Sequence, residues 1–264
     1  MRYDTILFER EGAVAVITLN RPEALNSLTW ELMSETGDAL AQCANDRKVR
    51  ALVITGSGKA FCAGVDVKVV AGRSAEEAAR FLYQMADGMH ERVIGPIRHM
   101  GKPVITAING VAAGGGLGLA LSGDIVVASD QARFALAYAN VGVCPDCGTS
   151  FFLPRLVGQA KAMELYLLNE VLSAERAREL GIVSRVVPAA TLLTEVRDLA
   201  ERLAKGPTLA YAQAKRLFNR SFVNDLSGHL IEEGMGIGVC AASEDGREGM
   251  QAFACKRAPR FVGR

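Results

Sequence analysis

With 264 residues, half of them hydrophobic, and 30 Lys+Arg against 29 Asp+Glu, the composition excludes a disordered chain, which would combine low hydrophobicity with high net charge. A net charge of +1 supplies no electrostatic reason for nucleic acid or an anionic membrane surface as the main partner. Glycine is the outlier at 27 residues, and with aromatics at only 6% it points to α/β packing with close backbone approaches.

In chain order, Thr5–Glu9 and Ala13–Asn20 read as a hairpin around Arg10-Glu11-Gly12. Thr29 is placed to N-cap a helix running to about Ala44. Ala51–Thr55 and Val104–Ile108 are continuous apolar runs, as expected of buried parallel strands. Between them, Phe81, Met85, Met89 and Val93 recur at four-residue spacing and predict one long helix over about 75–100. Short strands are expected at Ile125–Ala128 and Ala132–Ala135. From about Cys147 onward only helices are expected: Thr149–Val157, Ala160–Leu168, Ala174–Leu180, Leu192–Lys205, Leu209–Phe222, Leu226–Ala242 and Asp245–Cys255.

The uncharged stretch Val104–Gly123 has spanning length at 20 residues, but Pro103, Asn109 and its glycines fit a strand, a turn and a buried helix better than a membrane segment. The start, Met1-Arg2-Tyr3-Asp4, lacks the basic and then apolar layout of a signal peptide. Six cysteines in a chain of this length do not suggest a secreted disulfide scaffold, so a reducing, cytoplasmic setting is expected.

Three segments could carry chemistry. Ser57–Lys68 follows a buried strand, but Gly58-Lys59 is followed by Ala60 and no glycine stands five residues before Gly58, so it is not a phosphate loop. Gly114, Gly115, Gly116 and Gly118 crowd a helix start where glycine is unfavourable. Either tight strand-to-helix packing or a set of free N–H groups aimed at an anion explains them. The third segment, Gly142–Thr149, contains Cys144-Pro145-Asp146-Cys147. None of His90, His99 or His229 stands at ligand spacing from the cysteines, and no second Cys-x-x-Cys completes a zinc set. Asp146 itself reads locally either as a cap of the following helix or as a functional acid.

Taken together, Asn20-Arg21-Pro22-Glu23-Ala24-Leu25-Asn26, Phe61–Lys68, Asn109–Gly116, Ala174–Arg185 and the tail Glu244–Gly263 resemble the crotonase, or enoyl-CoA hydratase/isomerase, superfamily over essentially the whole chain. The resemblance implies an α/β spiral of ββα units over residues 1–195, carrying acyl-CoA binding and catalysis. It also implies a helical oligomerisation region over 196–264, with homotrimers or dimers of trimers. The substrate would be an acyl-CoA thioester, with CoA part of the substrate and no separate cofactor or metal. By position, the N–H groups of Val65 and Gly115 would hold the thioester oxygen. Ala24, Ala63, Val65, Asp66, Val67, Lys68, Gly115 and Tyr138 would line the substrate.

Hydration in the family uses two glutamates, and those positions fall on Gly118 and Tyr138, neither of which is a carboxylate. Asp146 falls where isomerases of the family place a catalytic acid. The resemblance therefore favours moving a double bond, with Asp146 as acid/base, over enoyl-CoA hydration. Two further alternatives are an aryl-CoA dehalogenase with Asp146 as nucleophile and an acyl-CoA-binding homologue with weak chemistry. The dehalogenase histidine position is occupied by Glu91. His90 stands one residue away, and about 100° of helical rotation per residue is expected to turn it elsewhere. Asp87 and Glu91 are candidates for a second acid or for a solvated helix face.

Overall fold

A computed structural model of the protein describes residues 3–264. The chain opens with the antiparallel hairpin β1 (Ile6–Glu11) and β2 (Val14–Leu19), followed by α1 (Trp30–Asn45), whose N-cap Thr29 accepts from the Leu32 N–H. Strands then come in pairs. β3 (Ala51–Gly56) precedes β4 (Ala60–Cys62), and the short helix α2 (Val67–Ala71) leads into α3 (Ala75–Met89) and α4 (Gly95–His99). β5 (Val104–Ile108) and β6 (Val111–Ala113) precede α5 (Gly115–Leu121). β7 (Ile125–Ser129) and β8 (Arg133–Ala135) precede α6 (Thr149–Val157) and α7 (Gln159–Leu168). β9 (Leu172–Ser173), α8 (Ala174–Glu179) and β10 (Arg185–Val187) complete the strands, and α9 (Leu192–Ala204), α10 (Thr208–Arg220), α11 (Leu226–Ala242) and α12 (Glu244–Ala254) follow.

The first strand of each pair joins a six-stranded sheet, β1-β2-β3-β5-β7-β10, which is parallel apart from the opening hairpin; the second joins a four-stranded sheet, β4-β6-β8-β9. Each ββα turn thus stacks on the last and the chain spirals. The larger sheet is covered on both faces, which is why its strands read as unbroken apolar runs. Ala15, Ile17, Leu52, Ile54, Val104 and Ile108 face the main core with α1 and the second sheet. Their neighbours Val14, Val16, Ala51, Val53, Ile105 and Ala107 pack instead under Val196, Leu199 and Ala200 of α9. The alternation is the two-residue period of a strand.

Several expectations need correction. The region after Cys147 is not purely helical, since β9 and β10 each add an edge strand of two or three residues, too short to show a period. β4, β6 and α2 lie inside the loops read as Gly-rich connections. The helix expected over 75–100 is interrupted by a π-turn at His90–Ile94. Pro96 brings no N–H to the α-helical ladder, and the Gly95 N–H reaches back to the His90 carbonyl across the wider turn. The boundary expected after residue 195 falls within α9, whose buried side is part of the sheet packing. Beyond α9, Arg50 Nε donates to Thr208 Oγ1 at 3.0 Å and its Nη1 to the Phe261 carbonyl at 3.1 Å, fastening the C-terminal helices to β3.

Candidate active site

Three loops are drawn together by side chains that the sequence motifs supply. Asn26 is fully buried: its Nδ2 donates to the carbonyls of Ser57 (2.9 Å) and Ala60 (2.8 Å), and its Oδ1 accepts from the Arg21 N–H (2.8 Å). Asn109 does the same from the other side, donating to the carbonyls of Gly58 and Ala60, both at 3.1 Å. The segment ending at Ala24 is held against the β4 exit by the Ala63 N–H to the Leu25 carbonyl at 3.1 Å. Leu28 bridges to Val65, but through its own N–H to the Gly64 carbonyl (2.8 Å), not through the Val65 N–H.

The β4 exit and the α5 entrance touch. A Cβ on Gly64 would stand 2.9 Å from the Ala113 carbonyl and 3.2 Å from the Gly115 nitrogen. Gly114 takes φ +52° and ψ −129°, which glycine tolerates far better than other residues. Packing accounts for much of the glycine cluster, and at Gly115 too a Cβ would stand 2.9 Å from Cys147 Sγ. Gly116 and Gly118 serve packing: a Cβ on Gly116 would lie 2.1 Å from the Cys62 carbonyl, and one on Gly118 2.3 Å from the Cys147 carbonyl. Gly115 is the first residue of α5, so its N–H precedes the helical ladder and has no intrahelical acceptor.

Asp146 faces this point. Its Oδ1 is 3.5 Å from where a Cβ on Gly115 would be. It does not cap α6: Gly148 occupies the N-cap with no side-chain bond, and only the Asp146 backbone carbonyl accepts, from the Thr149 N–H at 2.9 Å. The Tyr138 O–H donates to Asp146 Oδ1 at 2.8 Å, and Thr149 Oγ1 lies 3.2 Å from the phenol oxygen. Burial first, and then the Asp146 charge, push the Tyr138 phenol far above its ordinary range, so it remains a donor. With its one hydrogen committed to Asp146, Tyr138 accepts from Thr149. Cys147 is buried, and desolvation followed by the Asp146 charge holds its thiol well above the usual range, while Cys144 is exposed. Cys147 is therefore a packed thiol rather than a thiolate nucleophile.

The other residues around these loops have different roles in the fold. Asp66 caps α2, its Oδ1 accepting the Lys68 N–H at 3.0 Å, a duty its sequence position did not reveal. Val67 and Lys68 are exposed on α2, and Val65 is half-buried. Asp87 and Glu91 are exposed. Met85 and Met89 belong to the main core, and Phe151 points outward beneath Arg155, 3.5 Å from its ring centre. His90 was expected to turn away; instead its Nε2 accepts from the Cys147 N–H at 3.1 Å. The rotation argument assumed a uniform α-helix, and His90 opens the π-turn. A mainly apolar cavity of about 340 Å³ borders the Asp146 turn, with Leu136, Pro145, Thr149, Leu153, Met163 and Tyr166 around it. Among the described residues no helix is long and apolar enough to cross a membrane.

Comparison with known proteins places this arrangement. The family model for enoyl-CoA hydratase/isomerase matches residues 9–264. The 1,2-epoxyphenylacetyl-CoA isomerase of Escherichia coli is 40% identical over 261 residues, covering 98% of both chains. A probable enoyl-CoA hydratase of Mycobacterium tuberculosis is 41% identical over 266 residues, covering 100% of both. Among solved structures, an enoyl-CoA hydratase from Bacillus anthracis superposes with a TM-score of 0.92 at 32% identity, over 99% of this chain and 100% of that one. The spiral of strand pairs and helices is the crotonase fold, and with a match running to the last residue and relatives near 40% identity over their full length, the chain belongs to the enoyl-CoA hydratase/isomerase family.

Proposed function

We propose that the protein isomerises an enoyl-CoA thioester, with Asp146 as the single acid/base. The observation that carries this reading is the Asp146 carboxylate, held by Tyr138 and aimed at the Gly115 end of α5. The N–H groups of Val65 and Gly115 would take the thioester oxygen, and each such donor is worth about 2.7–4 kcal/mol of barrier where it has been removed. Asp146 would take a proton from C2 of a 3-enoyl-CoA. The electron pair moves into the thioester to give a dienolate whose oxygen the two N–H groups stabilise. The same carboxyl group then returns its proton to C4, leaving the double bond at C2–C3. Ala24, Ala63 and Val65 to Lys68 would lie along the CoA, with Tyr138 at the acyl end. This chemistry needs no cofactor beyond the CoA that the substrate brings.

The two positions that the resemblance assigns to the glutamates of hydration support the same reading. Gly118 has no room for a Cβ, and Tyr138 is a buried phenol committed to Asp146. Hydration is the second reading, favoured by the hydratase names of several relatives, the crotonyl-CoA hydratase of Syntrophomonas wolfei at 36% identity among them. Self-association of the C-terminal helices is part of the proposal. Phe218, Phe222, Ile231 and Ile237 are 66–74% exposed on α10, α11 and the turn between them, an apolar surface of the kind a homotrimer would cover. Light scattering tests the trimer. Asp146→Asn tests the chemistry: folding and acyl-CoA binding should survive while turnover of a 3-enoyl-CoA collapses, and retained turnover overturns the assignment.

A further inference from the structure

The peptide unit between Asp146 and Cys147 is pinned at both polar atoms. Its carbonyl accepts from the Thr149 N–H at 2.9 Å, and its N–H donates to His90 Nε2 at 3.1 Å. The pinning matters because Cys147 stands at φ +50°, a left-handed conformation that a non-glycine residue occupies only when its surroundings impose it. Thr149 belongs to the turn itself, whereas His90 lies 57 residues away on the α3–α4 segment, at the first residue of the π-turn. Without the imidazole, the Cys147 N–H has no acceptor among the described residues, and the backbone carrying Asp146 keeps only its own turn and a longer contact from the Tyr138 hydroxyl to the Asp146 carbonyl at 3.3 Å. With it, the remaining freedom of Asp146 is its side-chain torsion, which the Tyr138 O–H fixes at Oδ1.

We propose that His90 is a positioning residue for Asp146, acting through the Cys147 N–H and not on the substrate. The proposal rests on the reading of Asp146 as the acid/base. An imidazole nitrogen that accepts carries no proton, so His90 works as the neutral tautomer with hydrogen on Nδ1. The imidazolium, with both nitrogens protonated, could not make this bond. The role requires reach and an acceptor, not basicity. Glutamine presents an amide oxygen at about the distance of Nε2, while asparagine has the same group one methylene short.

Three variants assayed side by side on a 3-enoyl-CoA test this: His90→Gln, His90→Asn and Asp146→Asn. His90→Gln should keep kcat within about threefold of wild type. His90→Asn should lose about 10–100-fold in kcat, the scale of a reacting group displaced by about 1 Å, with KM changed by less than about threefold. Equal large losses in both His90 variants would make the imidazole a proton carrier and overturn the proposal, as would wild-type kcat in both. If Asp146→Asn retains turnover, the acid/base reading fails and the positioning role fails with it. If Asp146→Asn is dead while both His90 variants are fully active, only the positioning role is lost. A second readout does not depend on the variants' activity. The chain has 3 histidines, so in wild-type protein with ¹⁵N-labelled histidine the His90 signal can be assigned as the one missing from His90→Gln. Its Nε2 should be unprotonated with hydrogen on Nδ1; a protonated Nε2 in the folded protein at neutral pH would overturn the proposal.

Discussion

Gly118 offers the sharpest steric test of how the site is built. Its α-helical backbone suits alanine, so Gly118→Ala probes space alone. The new Cβ would stand 2.3 Å from the Cys147 carbonyl oxygen and 2.8 Å from the Cys147 Cβ. Restoring ordinary contact, at about 3.5 Å, requires the Asp146–Cys147 turn and α5 to separate by about 1 Å. Overpacking of this kind costs about 1–3 kcal/mol. At about 2–4 °C per kcal/mol for a chain of this size, Tm should fall by about 2–12 °C. Because the displaced segment carries Asp146, kcat on a 3-enoyl-CoA should fall by about 100-fold. Gly118→Glu, which replaces the carboxylate the resemblance expects for hydration, should lose isomerisation without gaining hydration. Gly72→Ala is the control: nothing lies within 4 Å of its Cβ position and φ is −91°, so Tm and kcat should hold or Tm rise slightly. Scanning fluorimetry and steady-state turnover read all three variants. A Gly118→Ala protein with wild-type Tm and kcat would refute the close approach and the reasoning built on it.

Tyr138→Phe removes the donor to Asp146 Oδ1; a hydrogen bond to a charged group is worth about 1.5–3 kcal/mol, so kcat should fall about 10–100-fold while acyl-CoA binding by calorimetry changes little. Asn26→Ala leaves the part-buried Ser57 carbonyl without this donor and the buried Ala60 carbonyl with only that of Asn109, and should lower unfolding stability by about 1–3 kcal/mol in urea titrations. Glu248 is held at about 2, first by the Arg257 side chain (2.6 and 2.8 Å) and then by the Arg260 N–H (2.8 Å). A carboxylate depressed on folding contributes stability that is complete above its ordinary value of 4.5 and is lost as pH falls towards 2. The Tm gap between wild type and Glu248→Gln should therefore be widest near neutral pH and close between about pH 4.5 and 2, and a gap independent of pH would contradict the pairing.

Long periodic elements were legible in the residues. Phe81, Met85, Met89 and Val93 mark the inward side of α3 and the π-turn, and Thr29 caps α1 as its position implied. Among the strands of two or three residues β8 was anticipated, but β4, β6, β9 and β10 were not, because none of them is long enough to show a period or a composition. The candidate site divides the same way. The family resemblance pointed to Gly115 and Asp146, which the fold brings together, but the Asp146 side chain follows a tertiary bond to Tyr138, and local capping rules pointed it at α6. His90 was missed for a related reason: its partner is 57 residues distant, and the helix departs from 3.6 residues per turn where it contributes. The packing demand of the glycine cluster emerges only from which atoms a Cβ would meet, backbone carbonyls at Gly116 and Gly118 and the Cys147 and Leu28 side chains at Gly115.

The most direct measurement of the central claim is proton NMR of a 3-enoyl-CoA incubated in D₂O with wild-type protein and with Asp146→Asn. A single carboxylate working on a dienolate predicts loss of the C2 proton, delivery of hydrogen to C4 and a 2-enoyl-CoA product in wild type, and none of these in the variant. A 3-hydroxyacyl-CoA forming as fast as the 2-enoyl product, or C2 exchange that persists in Asp146→Asn, would contradict it.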